Sequence, residues 1–243
     1  MNEQEFLKAY DASAFEHPSV TVDLVLMTVS EGALRALVIR RDKHPALGKW
    51  ALPGSFVAMR ESLDAAAKRV LKEKAHIGSA YLEQLYTFGD VQRDPRTRII
   101  TVVYFALLPE SRFGRDKSQE RCLAKIETAW KGETGGPAEV LDATGAKLKV
   151  AFDHAEILGL AVKRLRGKLD YSGIAFELLP AAFTLRQLQE VHEAILCTRL
   201  NKPAFRRRML DKGILKATGR FESGASFRPA ELYRFIPERL HAH

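Results

Sequence analysis

Residues 48–77, GKWALPGSFVAMRESLDAAAKRVLKEKAHI, decide how the first two-thirds of the chain is read. The stretch opens as a loop, with Gly48, Pro53 and Gly54 (and Pro45 just upstream) as breakers. From Glu61 to Ala75 there is neither glycine nor proline, and Leu63, Ala67, Val70, Leu71 and Ala75 recur at helical spacing, so a helix is expected there. Working outward, residues 21–29 (TVDLVLMTV) and 34–39 (LRALVI) flank the turn signal Ser30–Glu31–Gly32 and predict a β-hairpin. Residues 81–88 and 99–108 read as two more strands around a polar turn at 90–98, and the Gly-rich residues 131–145 as loops or a hairpin excursion. A second helix is expected to begin at Asp153, with Glu156 three residues on as in a capping box, an apolar stripe of Ile157, Leu160, Ala161 and Leu165, and an end near Gly167. Strands interrupted and followed by helices indicate a mixed α/β domain over 1–170, with the boundary around 170–176.

Composition bounds the rest. With 46% hydrophobic and 28% charged residues the chain is expected to fold and stay soluble. The longest apolar runs, such as 99–108, fall far short of a membrane span, and the acidic N-terminus lacks an apolar signal core, so a cytoplasmic protein is expected. Cys122 and Cys197 match no zinc spacing and read as reduced, incidental thiols. The net charge of +8 is localised: residues 163–243 hold 16 Lys/Arg against 8 Asp/Glu, leaving 22 of each sign in residues 1–162. Such asymmetry fits a polyanion-binding module joined to a neutral one, and equally a merely basic, solvated surface.

The run from Gly48 to Phe56, followed by Glu61 and Arg69, resembles the Nudix hydrolase family over roughly residues 18–165. In that family the motif G-x5-E-x7-R-E-U-x-E-E-x-G-U, with U aliphatic, sets three helix carboxylates on one face to hold divalent metal against a diphosphate. The resemblance implies a Nudix fold, a mixed sheet sandwiched by helices. Aligned residue by residue, Ser55 stands for the opening glycine and Glu61 and Arg69 match. Val70 replaces the first clustered glutamate, Glu73 matches, Lys74 replaces the last, His76 stands at the closing glycine, and Ile77 matches. The cluster's formal charge goes from −3 to zero. Val70 offers no oxygen and an ammonium at Lys74 repels a divalent cation, by roughly 2–8 kcal/mol at about 4 Å. Neither metal binding nor metal-dependent hydrolysis is therefore expected, and no catalytic residue is assigned.

Two readings of the altered pocket stand. Lys74 neutralises a diphosphate directly, so that the domain binds a nucleotide-sugar such as ADP-ribose without cleaving it, or Lys74 is solvated and the pocket is vestigial. Candidate ligand contacts on the first reading are Arg40, Arg41, Trp50, Glu61, Arg69, Glu73, Lys74, Arg93 and Arg98, with Lys43 and Arg96 nearby. Each arginine is also explicable as a surface residue, and Trp50 either stacks on an adenine or belongs to the core.

The last third has its own signature. Thr184 and Gln187 form a capping-box pattern ahead of an apolar face of Leu185, Leu188, Val191 and Ile195, ending near 197–200. A second short helix follows, capped by Asn201, with Pro203 in its first turn and Gly213 as terminator. Two short helices with a brief connection are a helix-turn-helix signal. At 100° per residue Phe205 and Met209 mark the buried side, Arg207 points opposite, and Arg206 and Arg208 lie to either side. Residues 214–217 and 231–235 read as paired strands around a basic wing containing Arg220 and Arg228. Candidate DNA contacts are Arg186, Asn201, Lys202, Arg206, Arg207, Arg208, Arg220 and Arg228.

Taken with FELLPAAFTLRQLQ (176–189), NKPAFRRRML (201–210) and RPAELYRF (228–235), the chain resembles the Nudix-related transcriptional regulators of bacterial NAD metabolism, the NrtR family. The resemblance implies a winged helix-turn-helix over 171–243 and a homodimeric repressor on palindromic operators. It implies further that ADP-ribose or a related NAD-derived nucleotide alters DNA affinity, with no cofactor required. Residues 131–145 depart from the family's compact pattern. The alternatives are an active Nudix hydrolase carrying a nucleic-acid-binding domain, which Val70 and Lys74 disfavour, and a relative that regulates sugar catabolism.

Overall fold

The computed structural model describes residues 2–114, 120–222 and 229–240. A short N-terminal helix, α1 (Glu3–Ala9), is closed by a capping box between Asn2 and Glu5 and buries nothing. The first sheet is built on β1 (Ser19–Ser30), a long strand that turns into β2 (Ala33–Arg40) with Glu31 and Gly32 both at positive φ. The expected loop of residues 45–54 carries two short strands, β3 (Trp50–Ala51) on β2 and β4 (Gly54–Phe56) on β1. After α2 (Leu63–Glu73), β5 (Glu83–Phe88) and β6 (Ile99–Leu107) complete one side. The other side is a hairpin, β7 (Arg121–Thr128) and β8 (Ala138–Leu141). The order is β5-β6-β1-β2-β7-β8, with β6 parallel to β1 and the other neighbours antiparallel.

Because β1 alternates, it feeds two cores. Val22, Leu24 and Leu26 meet Ala66, Ala67, Val70 and Leu71 of α2 on one face. Val25 and Met27 meet α3 (His154–Lys168) through Ile157, Leu158, Ala161 and Leu165 on the other. Sheet between helices is the layering expected. Val70 is wholly buried, so this motif position now contributes apolar burial, about 1.5–3 kcal/mol for a side chain of its size.

The excursion expected at 131–145 is largely the loop and return strand of the β7–β8 hairpin, the second of its two readings. Its first strand lies outside the predicted elements: in a short, half-buried run only Ala124 and Ile126 are fully buried, among Leu123, Lys125 and Glu127. Asp153 does precede α3, but its side chain makes no cap hydrogen bond: both carboxylate oxygens accept from Arg93, at 2.8 Å each. A long-range bidentate ion pair has outcompeted the local cap.

After a 3-10 turn at Ile174–Leu178 the chain forms β9 (Phe183–Thr184), α4 (Leu185–Leu196), α5 (Lys202–Asp211), β10 (Leu215–Phe221) and β11 (Glu231–Phe235). The strands make a separate sheet, β10-β11-β9. The Thr184–Gln187 capping box and the Asn201 cap both form, and Phe205 and Met209 are buried. Between α4 and α5, Cys197 turns left-handed (φ 54°) and the Glu193 carboxylate accepts the Leu200 N–H at 2.9 Å and donors from Gln189 and Arg199, fixing the turn.

The two halves share one buried cluster that runs from Val25 through Leu165 and Ala175 to Leu188, Phe205 and Tyr233. Arg166, near the end of α3, is buried at the junction. Its Nε donates to Ile195 O (2.9 Å), Nη1 to Trp130 O (3.4 Å) and Gly132 O (3.2 Å), and Nη2 to Thr128 Oγ1 (3.1 Å), with the guanidinium 4.8 Å from the Trp130 ring centre. Replacing it strands buried carbonyls on both sides. Arg166→Ala is expected to lower unfolding free energy by roughly 2–5 kcal/mol in urea melts. Arg166→Lys should recover little of this, since one ammonium cannot span the fan of acceptors; a fully restored lysine variant would contradict that account.

Candidate functional site

At the end of the first sheet where β1, β4, the loop after β2 and the start of α3 meet lies a cleft of about 350 Å³. Exposed Lys43, Lys74 and Arg96 stand at its rim with half-buried Arg41, while buried Thr21, Asp23, Leu52, Ile99 and His154 make its floor. Among the lining residues, Arg41, Lys43, Lys74, Arg93 and Arg96 face Asp23, Asp42 and Asp94, so cations outnumber carboxylates. Arg93 is committed to Asp153 and Arg96 to Asp94, at 2.8 Å. Lys74 forms no ion pair among the described residues. Burial and the neighbouring Arg96 charge push the Arg41 guanidinium below its usual pKa, a strain that an anion beside the two would relieve. Arg41 also lies 4.9 Å from the Phe152 ring centre, and Arg96 5.3 Å from that of Phe56. Phe152 is held at φ 53°, a left-handed backbone uncommon for a bulky side chain.

The floor is a polar network. Thr101 Oγ1 donates to Asp23 Oδ2 at 2.6 Å, and Arg93 approaches the same oxygen to 3.9 Å. The Leu52 N–H donates to His154 Nδ1 at 2.9 Å, which leaves the ring proton on Nε2, 4.0 Å from Asp23 Oδ1. Burial holds His154 neutral by lowering its pKa. Gly54 opposes Asp23 across the β1–β4 ladder, and a Cβ there would come within 1.9 Å of Asp23 Oδ1. Asp23, His154, Phe56 and Phe152 were missed by sequence reasoning. Only Asp23 left a signal, a lone charge inside an apolar strand run.

Of the expected ligand contacts, Arg41, Lys74 and Arg93 line this cleft, together with Lys43 and Arg96. The others lie elsewhere. Glu61 and Arg69 form a bidentate pair with both bonds at 2.8 Å, and Arg69 also donates to Phe56 O (3.0 Å) and Ser55 Oγ (3.4 Å), which ties the loop to α2. Glu73 sits 3.7 Å from the same arginine. Arg40 reaches Gly48 O, Arg98 reaches Asp90 O, and Trp50 packs partly buried against the core. Among the described residues no three His, Cys, Asp or Glu side chains converge as a metal site.

The second half presents a groove of about 670 Å³ between the start of α4, α5 and the β10–β11 sheet. Arg186, Lys202 and Arg206 line it, Arg186 paired with Glu190 at 2.9 Å. Arg207 is exposed on the outer face of α5. Arg208 turns back, 3.8 Å from Asp170 and over the Phe205 ring. The Asn201 side chain is occupied as the cap, accepting the Ala204 N–H at 3.0 Å. Arg220 is exposed on β10, and Arg228 lies outside the described residues.

A Nudix-fold domain sharing its core with a winged helix that displays arginines defines the class of protein. Comparison with known families and structures agrees: residues 17–141 match the NUDIX domain and residues 175–235 the NrtR DNA-binding winged helix domain. An ADPR responsive transcriptional repressor of Acinetobacter baylyi is 39% identical over 236 residues, covering 96% of this chain and 88% of the relative. The crystal structure of Shewanella oneidensis NrtR has 32% identity and a TM-score of 0.71, covering 92% of this chain and 96% of that one. Its complex with a 27mer DNA matches at the same identity and TM-score, over 91% and 95%. The chain belongs to the NrtR family of Nudix-domain transcriptional repressors. No helix among the described residues is long and apolar enough to cross a membrane.

The Glu61–Arg69 pair carries a pH signature. Hydrogen bonds from Arg69 hold the Glu61 carboxyl at about 2, against 4.5 for the free group. A depressed folded-state pKa stabilises fully above the unfolded value and is lost as pH falls through the folded one. Glu61→Gln is thus expected to melt below wild type at neutral pH, the gap closing as pH drops from 4.5 towards 2. A gap unchanged across that window in thermal melts would rule out the ion pair as its cause.

Proposed function

We propose that this chain represses transcription in the cytoplasm as a homodimer on a palindromic operator. On this reading residues 1–170 sense ADP-ribose, or a related NAD-derived nucleotide, and residues 171–243 bind DNA. The observation that carries the reading is the position of Lys74. An ammonium stands at the rim of the cleft, beside Arg41 and Lys43, where the motif's last glutamate would recruit a divalent cation. Such a cleft can hold a diphosphate by direct charge neutralisation, and it lacks the carboxylate set that would bring a metal to the scissile bond. Neither catalysis nor a resident cofactor belongs to this function.

α3 supplies the route between the two ends. His154 at its first residue lies in the cleft, and Arg166, twelve residues on and about 18 Å along the axis, grips the C-terminal end of α4. An effector shifts operator affinity only if it binds one arrangement of the two halves better than the other. A displacement of the α3 start by an entering diphosphate is transmitted by a rigid helix to the helix-turn-helix. Of the basic side chains, Arg207 faces outward and Arg206 lines the groove, so these two are assigned to DNA, with Lys202, Arg186 and Arg220 as flanking phosphate contacts.

A mobility-shift titration on the operator upstream of the chain's own gene, with and without ADP-ribose, tests the whole. ADP-ribose should change operator affinity in wild type, and Lys74→Glu should weaken ADP-ribose binding about tenfold or more by calorimetry. No heat with wild type, or brisk magnesium-dependent cleavage of ADP-ribose, would overturn the sensor reading. Arg207→Ala should lower operator affinity by roughly 1–3 kcal/mol and leave ADP-ribose binding untouched; equal DNA binding would misplace the recognition face.

A further inference from the structure

The floor of the cleft has a property that the family motif does not describe. Asp23 is a buried carboxylate whose Oδ2 is satisfied by Thr101 and approached by Arg93, while Oδ1 has no hydrogen bond among the described residues and lines the cleft. His154 Nε2 lies 4.0 Å from Oδ1, too distant to bond. The Thr21 hydroxyl, two residues earlier on the same face of β1, is buried without a partner at the same floor. An acceptor left open at a cleft is available to a ligand's donor, and the absence of a side chain at Gly54 makes room for that of Asp23. Arg93 does not cancel the Asp23 charge, because its guanidinium is held in a bidentate grip by Asp153. With His154 neutral and Arg93 shared with Asp153, Asp23 is the one charged group among the described residues of the floor, under a rim of Lys43, Lys74 and Arg41.

We infer that Asp23 is the specificity residue of the cleft, its open oxygen accepting a hydrogen bond from a neutral donor of the bound nucleotide, a sugar hydroxyl or a base amine. The polarity sets the ligand's direction. An anionic group is repelled by the floor and held at the rim, so phosphates lie outward and the neutral donor inward. A ligand carrying phosphate at the inner end is rejected for the same reason, which gives the site selectivity by charge as well as by shape. This inference rests on the reading of the cleft as a nucleotide site and adds which end of the ligand is read.

Calorimetry on the full chain with ADP-ribose, ADP (no terminal ribose) and the inosine counterpart of ADP-ribose (no exocyclic amine) tests it, for wild type and Asp23→Asn, with thermal melting to verify folding. Losing a charge-assisted hydrogen bond should weaken ADP-ribose binding to Asp23→Asn about ten- to a hundredfold. One analogue should bind wild type and variant alike: ADP if the donor is on the ribose, the inosine compound if it is the amine. ADP-ribose affinity within about twofold of wild type, or tighter, would overturn the inference while leaving the sensor reading intact. Absence of binding by wild type would instead remove the nucleotide site itself, and this assignment with it. Should Asp23→Asn fail to fold, the wild-type series decides: equal affinity for all three ligands overturns the assignment, and a loss of about tenfold with one analogue supports it.

Discussion

A guanidinium buried between two domains must have its N–H groups met locally, and Arg166 meets that demand with acceptors drawn from both. Its partners are one carbonyl near the end of α4, two carbonyls of the loop after β7 and the Thr128 hydroxyl, and among the described residues no carboxylate takes part. The end of a helix is a natural place for such a charge, since the free carbonyls there carry the negative pole of the backbone dipole. The consequence is mechanical. Helix α3 cannot shift without disturbing both the β7–β8 hairpin and the helix-turn-helix, so the cleft at one end and α4 at the other belong to one body.

That connection gives meaning to an altered motif. At the two positions where the sequence motif calls for carboxylates, Val70 has joined the core and the Lys74 ammonium lines the cleft. Glu61 and Arg69, which match the motif, have turned to each other and to the loop backbone. The loop is thereby pinned to the helix. On the proposed function, the basic rim above Asp23 would hold a molecule with both phosphate and neutral donors in one orientation.

The second domain shows the same economy. Arg206, Arg207 and Arg208 are consecutive, yet they face the groove, the solvent and Asp170 in turn, because each step along a helix rotates the side chain by about 100°. A run of arginines therefore supplies one contact to Asp170 as well as an exposed basic surface.

Local chemistry was legible from the sequence wherever partners lie within a few residues. The Thr184–Gln187 box, the Asn201 cap, the burial of Phe205 and Met209, and the helix over 63–73 all depend on short-range spacing. So too was the burial of Val70 on the apolar face of that helix, which needs only the helical period. The pairing of Asp153 with Arg93, sixty residues distant, was decided by the tertiary structure, as were the isolation of Asp23 Oδ1 above Gly54 and the burial of Arg166. These follow from which strands lie side by side and from where the low-dielectric interior closes. An electrostatic preference that reaches across the fold has no periodicity, and a linear reading cannot see it.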